Sequence, residues 1–211
     1  MKDEVKLIWH GHSCFEMKYK GWTVVVDPFE DRYVPGCPIL HLTAGAVYST
    51  HNHHDHNAVN LVELDAVCPV PPPEFSVEER IVPHDDVNGE KRGMTKVFLF
   101  HFGERTIAHL GDIGVIPGEE IIEFLRGVDV LCIPVGGFYT IDGDTAAELA
   151  KKIRPRVIVP MHYRGARFGF DVLDTVKPFL SHFGDKTALE ENSFTVTDSA
   201  PAGVIIPALK A

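Results

Sequence analysis

Short apolar runs punctuated by Gly, Pro and Asp dominate the first half of the chain. Runs of this length and composition are typical of β-strands. Lys20 and Gly21 stand between two of them and predict a hairpin turn. The strands predicted in this half cover residues 5–9, 14–19, 22–27, 47–49, 66–69, 80–83, 97–102 and 106–110.

The second half alternates helical patterns with apolar runs. Helices are predicted over 119–126, 145–153 and 172–183, and strands over 130–134 and 157–160. Hairpins followed by alternating strands and helices predict an α/β fold whose sheets are covered by helices on their outer faces.

Composition limits the class of protein. The 211 residues are 45% hydrophobic and 24% charged, which predicts one globular domain over residues 1–211. A formal charge of −10 disfavours nucleic acid as a partner. No apolar run reaches the roughly 18 to 20 residues needed to span a membrane, and the start of the chain lacks the apolar core of a secretory signal. A cytoplasmic location is therefore expected.

The segment 51–56 reads His-Asn-His-His-Asp-His and concentrates four imidazoles and one carboxylate in six positions. These are the donor groups that zinc and neighbouring transition metals favour. In an extended segment His51 and His53 point the same way and can share one ion. Asp55 and His56 are displaced enough to serve a second ion, so the spacing indicates two metals.

Three further ligand candidates each follow a β-prone run: His84, Asp112 and His162. Alone, each would be interpreted as a capping or surface residue. Beside the histidine-rich segment they become candidate ligands, because loops that follow strands converge at one edge of a sheet. His101 and His109 compete with His84, although His101 lies within an alternating strand pattern. The histidines interpreted as structural or exposed are His10, His41, His54 and His182.

These motifs resemble the metallo-β-lactamase superfamily, in which H-x-H-x-D-H, a third His, an Asp in a Gly-Asp pair and a last His after a strand occur in this order. Four further motifs narrow the resemblance to one branch of the superfamily, the small stand-alone metal-dependent hydrolases related to the bacterial ascorbate-lactone hydrolase. The motifs are Gly-His-Ser at 11–13, HLGD at 109–112, PVGG at 134–137 and PMHY at 160–163. The resemblance runs from about residue 5 to the C-terminus and implies a four-layer αββα sandwich.

The resemblance also implies a ligand set for two divalent ions, with zinc as the first expectation and manganese as the second. The first metal would be held by His51, His53 and His84, the second by Asp55, His56 and His162, with Asp112 bridging both.

Such a site favours a metal-bridging hydroxide as the nucleophile, so no serine or cysteine nucleophile is needed. Asp55 is an alternative base or proton carrier. His12, Ser13 and His109 are candidates for supporting roles, with His12 expected at the rim of the site as a substrate contact or proton donor. The alternative for His12 is a turn that caps a strand.

The expected activity is hydrolysis of a small ester, lactone or phosphodiester. A phosphodiesterase or nuclease of the same fold is one alternative, and a non-catalytic metal-dependent binding or sensing protein is another. Arg164 and Arg167 could neutralise an anionic substrate or serve surface solubility. Gly136 and Gly137 could admit substrate or form a tight turn. Homo-oligomer formation is left open.

Overall fold

The computed structural model describes residues 3–68 and 70–210. In these residues the chain forms two large β-sheets and three short α-helices. The strands are β1 (Val5–Gly11), β2 (Cys14–Tyr19), β3 (Trp22–Val26), β4 (Thr43–Ala44), β5 (Ala46–Tyr48), β6 (Glu63–Leu64), β7 (Phe75–Pro83), β8 (Met94–Phe102), β9 (Arg105–His109), β10 (Val130–Pro134), β11 (Val157–Met161), β12 (Lys186–Ala188), β13 (Ser193–Val196) and β14 (Gly203–Ile206). The helices are α1 (Glu119–Phe124), α2 (Gly143–Ile153) and α3 (Lys177–Leu180), and Val59–Leu61 forms one turn of 3-10 helix.

The first sheet has five strands in the order β13-β1-β2-β3-β5. Strands β1, β2 and β3 form an antiparallel meander, whereas β5 runs parallel to β3, with Val26 opposite Tyr48. Because these two strands point the same way, the residues that follow them leave the sheet at the same end. Asp27 and the histidine-rich segment therefore lie close together.

The second sheet has seven strands in the order β12-β14-β11-β10-β9-β8-β7. Strands β9, β10 and β11 are parallel, and β8 is antiparallel to both β9 and β7. Strand β7 therefore points in the same direction as β9, β10 and β11. The residues directly after these four strands meet at one edge of the sheet, as the sequence predicted for His84, Asp112 and His162.

The main hydrophobic core lies between the two sheets. Alternate residues of β2, including Phe15 and Met17, share one buried cluster with Phe98, Phe100 and Ile107 from the second sheet. Burial of these large side chains is the main source of stability for a domain of this kind.

Helices cover the outer face of the seven-stranded sheet. Helix α2 begins at the N-cap Asp142, whose side chain accepts a hydrogen bond from Thr145 N at 2.8 Å. Its buried residues Leu149 and Ile153 join the main core. All five residues of β10 are buried, as expected for a parallel strand that is covered on both faces.

The outer face of the five-stranded sheet is covered differently. Cys14 and Val25 alternate with the inward-facing residues of their strands and pack in a second buried cluster with Phe29, Val34 and Leu40. The segment between β3 and β4 supplies these last three residues without forming an α-helix. The order of layers is that of the predicted sandwich, but this outer layer consists mainly of irregular chain.

The helix predicted over 172–183 is wrong for most of its length, since only Lys177–Leu180 is α-helical. The backbone of Asp174 is bonded elsewhere: its N–H donates to Gly136 O at 2.7 Å, and its carbonyl accepts from Arg164 N at 3.0 Å. These bonds tie the segment to the loops beside the site. The helix then begins with Pro178 in its first turn, a position where proline is tolerated.

Other sequence predictions also need correction. Residues 66–68 form bends rather than a strand, because Asp65 Oδ1 accepts the backbone N–H groups of Val67 and Cys68; Pro69, the last residue of that prediction, lies outside the described residues. Strand β7 is longer than the predicted 80–83. Charged residues in its centre interrupt the apolar run, so the sequence predicted only its last part. The strands that were not predicted are β4, β6, β12, β13 and β14.

Within the described residues, no helix is long and apolar enough to cross a membrane.

Candidate metal centre

The Oδ2 atom of Asp112 is the centre of the candidate site. Four histidines that follow β5, β7 and β11 direct their Nε2 atoms towards it, and all four are almost entirely buried. The distances from Asp112 Oδ2 to Nε2 are 3.1 Å for His162, 3.2 Å for His56, 3.6 Å for His84 and 4.0 Å for His51.

The seven predicted ligands all fall within three overlapping groups whose donor atoms lie within 4.8 Å of one another and can hold a metal ion. The groups are His51 with His53 and His84; Asp55 with His56, His162 and His12; and His51 with His56 and Asp112. Asp112 thus lies between the two sets that the resemblance assigned to separate ions.

The two competing histidines, His101 and His109, lie outside these groups, as do the histidines that were interpreted as structural or exposed. His101 lies on β8 and contacts Glu78 at 3.1 Å, so its role is on the strand surface. His54 is exposed, as predicted, and contacts Glu30 at 2.7 Å. His10 contacts Glu16 and His182 contacts Asp144, both away from the cluster.

A buried carboxylate behind the site, Asp27, orients His56. Asp27 is fully buried, and its Oδ2 lies 2.8 Å from Nδ1 of His56. An ionised carboxylate can only accept, so the imidazole donates from Nδ1, and in the neutral form of the ring Nε2 carries the lone pair. That lone pair faces Asp112, which is the orientation a metal ligand requires.

Asp27 also acts on His51 through Thr50. Thr50 donates from its backbone N–H to Asp27 Oδ1 at 2.7 Å and from its hydroxyl to Asp27 Oδ2 at 2.8 Å. With its hydrogen committed to Asp27, the hydroxyl can accept from Nδ1 of His51, which lies 2.9 Å away. One carboxylate therefore fixes the tautomer of two cluster histidines.

His12 is buried rather than at the rim, with 1% of its surface exposed. Its Nε2 lies 3.0 Å from Oδ2 of Asp55, and its ring centroid lies 4.0 Å from that of His162. The side chain therefore contacts the cluster from inside the protein, behind Asp55.

His109 lies one step further from the cluster. Its Nδ1 accepts from Gly111 N at 3.2 Å, so its Nε2 carries the hydrogen and donates to Ser13 O at 2.9 Å. Its Nδ1 is 4.0 Å from Asp27 Oδ2. These contacts join the turn after β1 to the strand that precedes Asp112. The Ser13 hydroxyl is buried and has no hydrogen-bond partner among the described residues.

Burial and the surrounding charges separate the protonation states of these groups. Burial, reinforced by neighbouring His56, lowers the pKa of His51 to about 3, and burial with neighbouring His162 lowers the pKa of His12 to about 4. Burial alone would raise the pKa of Asp112, but His162 and His56 lower it well below its usual value. His51 and His12 are therefore neutral beside an ionised carboxylate. Burial alone would lower the pKa of His56, but Asp112 and Asp55 raise it well above its usual value, so a metal that binds His56 displaces a proton.

Backbone conformation at the site is unusual. His12, Asp27 and His162 have φ of +50°, +50° and +52°, in the left-handed region that non-glycine residues seldom adopt. Such conformations persist where surrounding contacts hold them, and they cluster at functional sites. Here they occur just after strands, at two residues of the cluster and at the carboxylate behind it.

Gly136 has a packing role beside His162. A Cβ at position 136 would overlap the carbonyl oxygen of His162, so only glycine lets the chain after β10 approach the chain after β11. Gly137 has φ +60° and continues the turn. The tight-turn interpretation therefore fits Gly137, whereas Gly136 is required by the close approach of the two backbone segments.

A cavity of about 390 Å³ opens onto the cluster. Neither Arg164 nor Arg167 lines it; Arg164 Nε instead donates to Leu173 O at 2.6 Å. The basic residues that do line it, Lys91 and Arg92, were not singled out from the sequence. The cavity is lined by Tyr33, Asn52, His53, His54, Asp55, His84, Lys91, Arg92, Asp112, Tyr139 and Phe170.

Comparison with known proteins identifies the family. The sequence-family model of the β-lactamase superfamily domain matches residues 6–162 of this chain. The chain is 31% identical over 190 residues to a UPF0173 metal-dependent hydrolase of Thermoplasma acidophilum, a match covering 76% of this chain and 84% of that protein.

Solved structures agree with this match. A protein from Thermotoga maritima described as a Zn-dependent hydrolase of the metallo-β-lactamase superfamily superposes with a TM-score of 0.72 at 30% identity, covering 96% of this chain and 98% of that one. A metallo hydrolase of Ignicoccus hospitalis shares the fold, with a TM-score of 0.62 at 21% identity over 82% of this chain and 86% of that one. The predicted fold class is confirmed. The chain belongs to the metallo-β-lactamase superfamily and is a metal-dependent hydrolase.

Proposed function

We propose that this hydrolase uses two divalent metal ions, preferentially zinc, to cleave a small ester, lactone or phosphodiester. The observation that carries the proposal is the position of Asp112 Oδ2 within 4.0 Å of Nε2 atoms from both halves of the cluster, His51 and His84 on one side and His56 and His162 on the other. A carboxylate shared in this way suits a bridging ligand.

The donor set fits such ions. Nε2 of His51 and Oδ1 of Asp112 are buried and have no hydrogen-bond partner among the described residues. Nε2 of His56 and His162 face Asp112 Oδ2 at 3.2 and 3.1 Å without the alignment of a hydrogen bond. Buried polar atoms without partners are costly, and a bound cation would satisfy them. The assignment we propose is His51, His53 and His84 for the first ion, Asp55, His56 and His162 for the second, and Asp112 for both. When bound, the ions supply Lewis acidity and ionise a water molecule near neutral pH.

Asp55 is the residue best placed to move protons. It lines the cavity, while His12 contacts its Oδ2 from the buried side. Burial alone would raise the pKa of Asp55, but His56 and His12 lower it, so the carboxylate is ionised, which is the state that also binds a metal. His12 would hold Asp55 in position, and His109 would support the turn that carries His12.

The proposed reaction on an ester is simple hydrolysis. The oxygen of water bonds to the acyl carbon, the bond from that carbon to the alcohol oxygen breaks, and the products are a carboxylate, an alcohol and a released proton. Asp55 can take the proton from the attacking water and return it to the leaving oxygen.

The cavity favours a small substrate. Its volume of about 390 Å³ lies at the lower end of the range for small-molecule sites. The charge of −10 disfavours a nucleic-acid polymer, so the phosphodiesterase alternative is restricted to small diesters. We also place the enzyme in the cytoplasm, where the four cysteines, which are free thiols in the structure, would remain reduced.

A hydrolysis screen of zinc-loaded and manganese-loaded protein tests the proposal. The panel contains aryl esters, lactones and small phosphodiesters, each assayed before and after metal removal with a chelator. We expect turnover that is lost on chelation and restored by metal. Turnover that persists in metal-free protein would contradict the proposal, and two bound metals without turnover on any class would favour the binding or sensing alternative.

A further inference from the structure

Lys91 and Arg92 are the only basic residues other than histidine that line the metal-side cavity among the described residues. They follow His84 on the connection between β7 and β8, so one segment carries both a candidate metal ligand and two cations. The question is whether this segment is held in place or is ordinary surface chain.

Asp85 holds the segment in a fixed conformation. Its side chain is buried and accepts four backbone N–H groups, which lie 2.7 to 2.9 Å from its oxygens. Two of those donors belong to Lys91 and Arg92. The donors are Val87, Gly89, Lys91 and Arg92.

The guanidinium of Arg92 is positioned by aromatic contact and has no carboxylate partner among the described residues. Its Cζ lies 5.0 Å from the ring centroid of Tyr139, which also lines the cavity, and 5.9 Å from that of Phe138. Lys91, in contrast, pairs with the exposed Asp86 at 3.0 Å. Arg92 is therefore the cation whose hydrogen-bond donors remain available to a ligand.

Two aromatic side chains give the same cavity an apolar surface. Tyr33 and Phe170 contact edge to face with ring centroids 5.9 Å apart, and both line the cavity. A ligand that fits these surroundings has an apolar body and an anionic group.

We propose that Arg92 binds an oxyanion of the substrate, so that the enzyme prefers small esters or lactones that carry a carboxylate or phosphate apart from the scissile bond. The inference rests on the proposed hydrolytic function and specifies its substrate class. A planar guanidinium matches such groups with two parallel hydrogen bonds, whereas a lysine ammonium does not.

Three aryl acetates test the proposal with zinc-loaded enzyme: neutral phenyl acetate, 4-acetoxybenzoate and 4-acetoxyphenyl phosphate. We expect Arg92→Ala to lower kcat/KM for an anionic ester, relative to the neutral one, by about 10- to 100-fold, mainly through KM. Arg92→Lys should recover only part of this ratio. Comparison of the two anionic esters distinguishes carboxylate from phosphate recognition. Arg167→Ala, an exposed arginine outside the cavity, is the matched control and should leave the ratio unchanged.

An unchanged ratio in Arg92→Ala, or an equal fall in Arg167→Ala, overturns the inference while the hydrolase proposal stands. If none of the three esters is hydrolysed, calorimetric binding of succinate and butyrate to the zinc-loaded protein decides the matter. We expect wild-type protein to bind succinate at least about 10-fold more tightly than butyrate, and Arg92→Ala to lose this preference. Equal affinities in wild-type protein overturn the inference. A succinate preference in a protein with no chelator-sensitive hydrolysis of any substrate contradicts only the hydrolytic mechanism proposed above.

Discussion

Nδ1 of His56 lies 2.8 Å from Oδ2 of the fully buried Asp27, on the side of the imidazole ring opposite to the metal cluster. The contact orients the ring and leaves Nε2 free to face Asp112 at 3.2 Å. Through Thr50 the same carboxylate reaches His51. The arrangement makes Asp27 a positioning residue for two candidate ligands, although it contacts no substrate.

Replacing Asp27 with Asn should weaken metal binding without removing any ligand. An amide of nearly the same shape carries no negative charge and can turn its NH₂ group towards His56, so the imidazole loses its preferred tautomer. We expect zinc affinity to fall about 10- to 100-fold, measured by competition with a chromophoric chelator. Thermal unfolding of both proteins checks that the variant is folded. An affinity equal to that of wild-type protein would show that Asp27 does not position the ligands.

The adjacent residues His53 and His54 provide a matched test of the ligand set. His53 belongs to the group with His51 and His84, whereas His54 is exposed and contacts Glu30. His53→Ala should lower the bound metal to about one equivalent after dialysis, and His54→Ala should retain the wild-type content, as measured by elemental analysis. Equal metal contents in the two variants would contradict the assignment of His53.

Gly136 should be intolerant of a side chain. A Cβ there would overlap the backbone oxygen of His162, and backbone cannot move aside as a flexible side chain can. Gly136→Ala should destabilise the protein by about 1 to 3 kcal/mol and weaken zinc binding by displacing His162. Gly184→Ala is the control, because a Cβ at that position meets nothing within 4 Å; we expect a change of about 0.5 kcal/mol or less. Urea unfolding measures both, and equal costs would refute the close-packing argument.

Glu16 on β2 should contribute to stability in a pH-dependent way. Burial alone would raise the pKa of Glu16, but contacts with His10 and Lys18 lower it overall. A lowered pKa in the folded state stabilises the protein above the pKa of the unfolded chain, and this contribution is lost as pH falls through the folded value. Glu16→Gln should therefore be less stable than wild type at pH 7, with the difference shrinking below about pH 4. Urea midpoints across this range test the prediction, and a difference independent of pH would contradict it.

The candidate ligands that the sequence singled out lie together in the structure, because their signal is chemical and local. Five of the seven candidate ligands follow two strands: four lie within residues 51–56, and the fifth is His84. The other two, Asp112 and His162, also follow apolar runs. Strand ends that point the same way bring such residues together. Residue type and position after a strand therefore predict that these side chains converge, whereas their assignment to two metal ions came from the family resemblance and stays a prediction.

The sequence carries weaker signals for the residues that position the candidate ligands and the cavity cations. Asp27 is a lone carboxylate at the end of an apolar strand, and its partners Thr50 and His56 lie 23 and 29 residues further on. Asp85 and Arg92 lie on a charged connection that looks like solvated surface, because backbone hydrogen bonds leave no trace in side-chain patterns. Asp27 itself could have been found from one signal, namely that it is a carboxylate directly after an apolar run.

The errors in secondary structure have a similar physical origin. Residues 172–176 carry an apolar pattern compatible with a helix, but the backbone of Asp174 bonds to Gly136 and Arg164 instead. The short C-terminal strands β12 to β14 have only three or four residues each. Runs this short acquire strand structure from their neighbours in the sheet rather than from their own periodicity.

Metal content by elemental analysis tests the central claim most directly. Zinc-reconstituted wild-type protein, dialysed to remove loosely bound ions, should retain about two equivalents of zinc, and Asp112→Asn should retain fewer because a shared ligand has lost its charge. Asp144→Asn, an exposed carboxylate on α2, should match wild type. Wild-type protein that retains no metal after reconstitution would contradict the two-metal account.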